Sequence, residues 1–277
     1  MERHYLVRHH LVRGGLGVTA PMTATVTLTR VDFGAVLDEI RLSSRRRAAA
    51  HELVDEQHVV GVVAGTSPVM WVDEGAAPER VCALAADAPE LHEVYVHAGN
   101  TAVISALCAD GWSRDEAVEH VVHDGEHTEL CMPPSGYVLR ECDDPAVLPA
   151  VRALLLEVFE MPREELEAAY PDDFFVKAAP ARLLIAETAD GELAGLIGRR
   201  RQQDSAILYA LAVAPAHRSA ALGTALARTA TARAIADGAT FVHGIVEAAS
   251  STLARSAGFR PVVTWMRLQR RADDAVA

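Results

Sequence analysis

The stretch LAVAPAHRSAALGTAL, at positions 211–226, carries the clearest chemical signal in this sequence. A predicted strand ends at Val213, a turn containing proline follows, and a loop of small residues leads directly into a helix. The first turn of a helix leaves backbone N–H groups without partners, and the helix dipole adds positive potential at the same point. A di- or polyphosphate fits such a site. Arg218 adds a positive side chain, and the small residues after it let phosphate oxygens approach the backbone.

This stretch resembles the acyl-CoA signature of the GNAT acetyltransferases, in which a strand ending in Val-x-Pro precedes the loop Gln/Arg-x-x-Gly-x-Gly/Ala. Arg218 stands in the first position of that loop and Gly223 in the last, whereas Ala221 replaces the middle glycine. Further along the chain, Gly258–Phe259 resembles the closing Gly-Phe of the family. The resemblance covers the chain from about position 136 to 268.

The resemblance implies acetyl-CoA as the co-substrate, lying in a splay between the predicted strands 207–213 and 240–246. The pantetheine arm would pair with backbone groups of the first of these strands, as an added strand would. The loop would hold the pyrophosphate. The residues assigned to the cofactor are Leu211, Ala212, Val213, Arg218, Ser219, Ala220, Ala221, Leu222, Gly223 and Thr224.

The usual catalytic acid of the family is missing from this sequence. Acetyl transfer in the family is a direct attack of an amine on the thioester, helped by a base and by an acid that meets the thiolate. The family's Tyr before the closing Gly-Phe is Ala254 here, and Glu247 stands where an Asn is usual. Three titratable groups near the expected splay are candidates: Tyr209 as acid or substrate-facing hydroxyl, His243 as base, and Glu247 as base or cation-binding carboxylate. Each also has a purely structural interpretation, as a core hydroxyl, a half-buried strand imidazole or a solvated carboxylate.

The pattern around this loop predicts an α/β (α+β) domain with a mixed sheet. The prolines of the segment 132–136 cannot continue a helix and mark a domain boundary. The predicted order after it is strand, two helices, three strands, helix, strand, helix, strand. Asp144 and Pro145 begin the first helix, and Gly238 ends the alanine-rich helix at 222–237.

The N-terminal half carries a second, weaker resemblance to the same family. Residues 94–112 read as a strand, a helix and a closing Gly-Trp, with the Asn100 that the C-terminal half lacks. A helix is predicted at 76–90, where a phosphate loop would be expected. The sequence thus predicts a tandem arrangement with a truncated N-terminal copy, and an unrelated α/β cap domain is the alternative. The predicted units are an extension with little structure at 1–21, a degenerate GNAT-like domain at 22–132 and a GNAT domain at 136–270.

Composition excludes some classes of function. The 277 residues carry a formal net charge of −12, which argues against nucleic-acid binding driven by long-range attraction. The 4 cysteines are far apart and form no CxxC pair, as in reduced cytoplasmic proteins. No apolar run approaches the ~18 residues that a bilayer span needs. We therefore expect a cytoplasmic protein without a nucleic-acid or membrane partner.

A cluster of histidines invites a zinc interpretation, since His and Cys are the ligands zinc prefers. Two of its members have the spacing of one helix face. However, the surrounding segment is acidic, is predicted to be an exposed linker, and has no second closely spaced pair. No metal site is predicted. The residues concerned are His120, His123, His127 and Cys131.

The leading functional hypothesis is an N-acetyltransferase that transfers an acetyl or other small acyl group to an amine of a small molecule or peptide. A catalytically silent module that binds acyl-CoA or a partner protein is the alternative. A different CoA chemistry on the same fold, such as decarboxylation, is a third option. The acceptor is not revealed, although an acidic loop at 159–177 would attract an amine. The oligomeric state is open, a homodimer included.

Overall fold

A computed structural model of the protein describes most of the chain beyond position 52. The described residues are 53–62, 68–123, 131–159, 163–177, 181–202, 204–218 and 221–270. The predictions for the extension at 1–21 and for His127, Ser219 and Ala220 lie outside this range. Among the described residues, no helix combines the length and apolar character needed to cross a bilayer.

The described part of the N-terminal half contains five strands and two helices. They are β1 Leu53–Asp55, β2 Val59–Val62, β3 Val69–Val72, α1 Pro78–Asp87, β4 Glu93–His97, α2 Thr101–Ala109 and β5 Trp112–His123. The helix α1 begins with proline at its first position, where the missing N–H costs nothing. Asn100 caps α2, because its side chain accepts a hydrogen bond from the backbone N–H of Val103 at 3.2 Å.

The C-terminal half has the predicted order of elements, with one short helix, α5, in addition. The elements are β6 Tyr137–Cys142, α3 Leu148–Phe159, α4 Arg163–Ala169, α5 Phe174–Lys177, β7 Ala181–Thr188, β8 Leu193–Gln202, β9 Ser205–Val213, α6 Leu222–Ala236, β10 Phe241–Glu247, α7 Ser251–Ser256 and β11 Phe259–Arg270. The predicted start and stop signals are confirmed. Asp144 accepts a hydrogen bond from the Ala146 N–H at 2.9 Å, and Gly238 follows α6 with φ of 89°.

All these strands form one sheet of 11 strands in the order β1-β2-β3-β4-β11-β5-β10-β9-β8-β7-β6. In each half, two parallel strands enclose a helix, and a second helix leads to a last strand: β3, α1, β4, α2, β5 in one half and β9, α6, β10, α7, β11 in the other. The last strands are exchanged. The strand β5 lies between β10 and β11, and β11 lies between β4 and β5. The two halves therefore share a continuous sheet.

Different helices cover the two faces of the sheet. One face carries α1 and α2 over the N-terminal strands and α6 and α7 over the C-terminal ones. The opposite face carries α3, α4 and α5 over β7, β8 and β9. Beside them on this second face, the central strands bury an aromatic cluster that includes Trp71 and Trp265. The rings of these two residues meet edge to face at 5.1 Å.

Replacing Trp265 with alanine tests whether the shared sheet unfolds as one unit. The side chain is 0% exposed, so we expect the Trp265→Ala variant to lose about 3–5 kcal/mol of stability. Because β11 joins β4 to β5, the whole transition should shift in urea denaturation followed by circular dichroism. The neighbouring exposed side chain of Thr264 provides a control, and Thr264→Ala should change stability by less than about 0.5 kcal/mol. Two separate transitions, with only one of them shifted, would contradict a shared core.

Candidate acyl-CoA site

The parallel strands β9 and β10 separate after a short ladder. They pair at only 3 positions, Phe241 with Ser205, Val242 with Ala206 and His243 with Ile207. On its other side, β10 stays paired with β5 as far as Glu247, which lies opposite Val118. The strand β10 thus keeps its place in the sheet while β9 turns away. The predicted splay between these strands is present.

A β-bulge in β9 accompanies the divergence. Ala210 has φ of 52°, an uncommon conformation for a residue with a side chain. The register with β8 shifts at the same place, between the pairs Leu196–Ala212 and Gly198–Tyr209. A bulge bends its strand and strengthens the local twist, which turns the end of β9 away from β10.

The gap between the strands is an open cleft, the splay cleft. Most of its lining is apolar, and it comes from β5, β8, β9, β10, α6, α7 and the start of β11. The lining residues are Val121, Ile197, Leu208, Tyr209, Ala210, Leu211, Ala227, Gly244, Ile245, Val246, Leu253, Ala254 and Phe259. Ala254, which occupies the position of the family's usual Tyr, is among them. Its small side chain leaves that wall of the cleft without a hydroxyl.

The N-terminus of α6 is linked to the cleft wall through Gly223, which lies against Leu253, and it has no side-chain cap from the described residues. Ala221 precedes the helix with φ of 56° and ψ of 14°, in the left-handed region. A left-handed residue followed by helical ones turns successive N–H groups toward one point and forms an anion-binding nest. The amides of Leu222, Gly223 and Thr224 open the first turn. The exposed side chain of Arg218 stands just before them.

The other residues assigned to the cofactor fall on both sides of β9. Leu211 and Val213 pack on the cleft side of the strand, whereas Ala212 is buried on the opposite face. The Val213 carbonyl accepts a hydrogen bond from Arg218 Nε at 3.3 Å. At the helix, a Cβ added to Gly223 would come within 2.7 Å of the Leu253 side chain. The glycine therefore allows α6 to pack closely against α7.

Two residues that sequence reasoning missed hold the loop before α6. The Tyr137 hydroxyl on β6 lies 3.0 Å from His217 Nδ1, and His217 ends the 3₁₀ turn that leads to Arg218. The ring of His217 meets that of Tyr137 edge to face. The two residues are 80 positions apart, so no local pattern could have paired them. Their contact fixes the start of the loop relative to the edge of the sheet.

Tyr209 lies at the wall of the splay cleft, on the sheet face that carries α3. Its ring covers Gly198, where an added Cβ would come within 2.4 Å of the ring. The hydroxyl is buried and has no hydrogen-bond partner among the described residues. Burial raises the pKa of Tyr209, and the neighbouring Arg200 partly offsets this rise. The phenol is therefore a protonated donor at neutral pH.

His243 is buried against a histidine from the other half of the chain. Its Nδ1 lies 2.9 Å from His120 Nε2, and the two rings stack with centroids 5.1 Å apart. Burial lowers the pKa of His243 to about 4. Burial, and next the charge of His243, lower the pKa of His120 well below its usual value. Both rings are neutral at pH 7, and this arrangement favours the structural interpretation of His243 over that of a base.

Glu247 stands at the end of β10 with a side chain that is 52% exposed. Its Oε1 lies 3.7 Å from Nη1 of Arg267, and Arg267 also donates to Asp115 at 2.7 Å. The carboxylate is solvated and shares its cation with a second acid. Glu247 follows directly after Val246, which lines the splay cleft.

The structure corrects the local prediction for the histidine cluster. The segment that was expected to form a helix and an exposed linker ends the buried strand β5. His120 and His123 are each 1% exposed, and residues 3 positions apart on a strand point to opposite faces. The segment has a strand conformation because β10 and β11 pair with it on both sides. No group of metal-ligating side chains occurs among the described residues, and His127 lies outside them.

A comparison of the sequence with protein families agrees with this geometry. The sequence model of the acetyltransferase (GNAT) family matches residues 148–259. These residues form a GNAT domain. The match contains β8, β9, β10, α6 and α7, which supply most of the lining of the splay cleft. A comparison with curated proteins found no match to the chain.

Solved GNAT structures resemble most of the chain in fold. A GCN5-related N-acetyltransferase from Kribbella flavida superposes with a TM-score of 0.66 at 15% identity, covering 87% of this chain and 96% of its own. A second one, from Sphaerobacter thermophilus, gives a TM-score of 0.60 at 14% identity and covers 77% and 76%. A tandem GNAT protein from the clavulanic acid biosynthesis pathway gives 0.54 at 19% identity and covers 76% and 77%. At these identities the likeness concerns the fold alone.

The pair formed by His120 and His243 should make stability fall in mild acid. The unfolded rings take up protons near pH 6.5, whereas the folded His243 has a pKa of about 4 and resists protonation. Stability is therefore lost as pH falls through about 6.5 and continues to fall toward 4, by up to ~1.4 kcal/mol per pH unit for each ring. Urea denaturation between pH 7.5 and 5.5 measures this slope.

A double variant, His120→Gln with His243→Gln, is the control for this prediction, because it removes both titrating rings. Its overall stability is expected to be lower, but its pH slope should be shallower than that of the parent. Parallel slopes for the two proteins would mean that the pair does not resist protonation.

Proposed function

We propose that the chain is an N-acetyltransferase that uses acetyl-CoA to acetylate an amine. One observation carries this proposal: the splay cleft opens beside a helix N-terminus without a side-chain cap. An apolar cleft fits the pantetheine arm and the amide nest fits the pyrophosphate, so one ligand would satisfy both. The GNAT domain supports an acyltransferase role in general, and the choice of donor and acceptor is ours.

The pantetheine arm would replace the missing strand contacts of β9. From Leu208 onward, the backbone of β9 that faces β10 has no partner strand among the described residues. Extended amide-containing ligands pair with such an edge as an added strand does. At the other end, Arg218 would turn from the Val213 carbonyl toward the phosphates, since its side chain is exposed.

In the proposed reaction, the amine nitrogen attacks the thioester carbon, the C–S bond breaks, and the thiolate leaves. Holding both reactants in the cleft supplies much of the rate, which suits a site without the usual acid. Glu247 is the proposed base, which removes the amine proton through water at the solvated cleft mouth. Tyr209 contributes a protonated hydroxyl at the place where the amine acceptor would bind. His243 has a structural role, because its ring packs against His120 and holds β10 next to β5.

We infer further that the N-terminal half is a GNAT-like copy without a cofactor site. Its parallel strands β3 and β4 stay paired from Val69 to Val72, over the whole length of β3, so no splay opens between them. The turn before α1 carries Asp73 and Glu74, and Glu79 lies in its first turn. Carboxylates in this position repel phosphate. The proposal therefore predicts one acetyl-CoA per chain.

A silent acyl-CoA-binding module is the second candidate, and Ala254 is the observation that favours it. Without a hydroxyl on that wall, the leaving thiolate lacks its usual proton donor. Thiol release with a panel of amines distinguishes the two functions. Turnover on any amine supports the transferase, and tight binding of acetyl-CoA without turnover supports the module.

Titration calorimetry with acetyl-CoA tests the site itself. We expect binding with a stoichiometry of one, and a loss of at least about tenfold in affinity for Gly244→Val. A Cβ at Gly244 would point into the cleft and lie 3.2 Å from the Leu208 carbonyl, so the larger side chain should narrow the pantetheine path. Thr264→Val, at an exposed position of β11 outside the cleft lining, should leave affinity unchanged. Absence of binding at millimolar acetyl-CoA would remove the basis of the proposal.

The left-handed residue before α6 gives a second test of the nest. Glycine adopts this conformation freely and alanine at a cost of roughly 1–2 kcal/mol, while a β-branched side chain fits it worse. Ala221→Gly should keep its affinity for acetyl-CoA, whereas Ala221→Val should lose about tenfold. The same exchange at the exposed C-terminal end of the helix, Ala236→Val, is the matched control. Normal binding by Ala221→Val would show that the nest does not hold the ligand.

A further inference from the structure

Arg200 on β8 lies against Tyr209, whose side chain lines the splay cleft. It pairs in register with Ile207 of β9, and Gly198 pairs with Tyr209. Directly opposed residues of antiparallel strands point to the same face, so Arg200 and Tyr209 share the face that carries α3, α4 and α5. The guanidinium carbon of Arg200 is 5.4 Å from the centre of the Tyr209 ring.

The charge of Arg200 is not balanced by an acid within the described part of the chain. The next residue on β8, Arg199, is paired with both Glu141 and Asp237. By contrast, no described carboxylate lies within ion-pair distance of Arg200, although its side chain is half-buried. A partly buried cation without a counter-charge is costly. An aromatic ring compensates only part of this cost.

The Tyr209 hydroxyl adds a second group without a described partner at the same place. Burial raises the pKa of Tyr209, so the phenol keeps its proton and is available as a donor. A guanidinium group can only donate hydrogen bonds. Two adjacent donors, one of them positive, are complementary to an anionic acceptor group, and a carboxylate matches a guanidinium in geometry.

Tyr209 connects this pair to the reaction, since its side chain also lines the splay cleft. A group bound between Arg200 and Tyr209 would therefore lie beside the proposed position of the thioester. The net charge of −12 opposes an anionic ligand only weakly at this range, because salt screens distant charges beyond about 8 Å. The nearby charge of Arg200 therefore has more influence on the ligand than the net charge of the protein.

We propose that the acceptor is an amine that also carries a carboxylate, as an amino acid does, and that Arg200 with the Tyr209 hydroxyl binds that carboxylate. This inference rests on the proposed acetyltransferase function and adds the class of acceptor to it. The carboxylate is held on the α3 side of the sheet while the amine faces the thioester. Arg200 is then the residue that determines specificity.

Steady-state thiol release with acetyl-CoA and matched acceptors tests this assignment. Each acceptor pair is an amino acid and its carboxamide, and the measured quantity is the ratio of their kcat/KM values. Arg200→Gln should lower this ratio by about 10- to 100-fold, as expected for loss of a charge-assisted contact. Arg200→Lys should give a ratio between those of the parent and of Arg200→Gln, because lysine keeps the charge but lacks the planar guanidinium group. The amines of the amino acid and of its carboxamide differ in basicity. This difference affects all variants equally, so it cancels when the ratios of two variants are compared.

Arg182→Gln is the matched control, since Arg182 lies on the neighbouring strand β7, opposite Arg199, and is exposed. Its ratio should equal that of the parent. A parent that uses acids and amides equally, or a preference that survives Arg200→Gln, would overturn the assignment.

Direct binding separates this proposal from the proposed catalysis. N-acetylated amino acids and their amides, which resemble the two products, are titrated into the protein in the presence of CoA. If acetyl-CoA binds but no acceptor turns over, the acids should still bind more tightly than the amides, and Arg200→Gln should abolish the difference. Equal binding of acid and amide would reject the carboxylate site whatever the enzyme does. Absence of any acetyl-CoA binding would instead reject the proposed function.

Discussion

The pairing of β10 with β5 is the constraint on which the site depends. The strand β10 is bonded to β9 at only 3 positions, and a strand held so briefly at the middle of a sheet would lose its place without a second partner. That partner comes from the N-terminal half, because β5 pairs with β10 from His243 to Glu247. The sheet therefore stays intact although β9 diverges from β10. The divergence leaves the β9 backbone on the side of the cleft without a partner strand among the described residues.

The same strand also fixes the helix behind the cleft. Glu119 of β5 accepts a hydrogen bond from the Ser251 hydroxyl at the start of α7, at 2.7 Å. The helix α7 supplies Leu253 and Ala254 to the cleft wall. On the opposite face, β5 supplies His120 to the histidine pair. The N-terminal half therefore acts as a structural support for the splay cleft.

Much of the C-terminal domain could be predicted from the sequence because its signals are local. The cap at Asp144, the stop at Gly238 and the small-residue loop before α6 each involve neighbours in the chain. The splay was predicted from the family resemblance, and the bulge at Ala210 that accompanies it has no signal in a run of apolar residues.

The features that could not be predicted depend on distant pairings. Nothing near His120 indicates that β10 and β11 will enclose it, and a strand covered on both sides shows no alternation to distinguish it from a helix. Tyr137 and His217 meet only after β6 takes its place at the edge of the sheet. The significance of Arg200 is likewise invisible in the run of arginines on β8, since only the fold gives Arg199 its acids and leaves Arg200 facing a ring.

The exchange of last strands has a consequence for synthesis of the protein. The 12 residues of β11 leave the ribosome after all the other strands, yet they belong at the centre of the sheet, between β4 and β5. The nascent N-terminal half must therefore wait with β4 and β5 unjoined, and each exposes an edge that could pair with another chain. The shared sheet is therefore complete only after β11 has been made and inserted between β4 and β5.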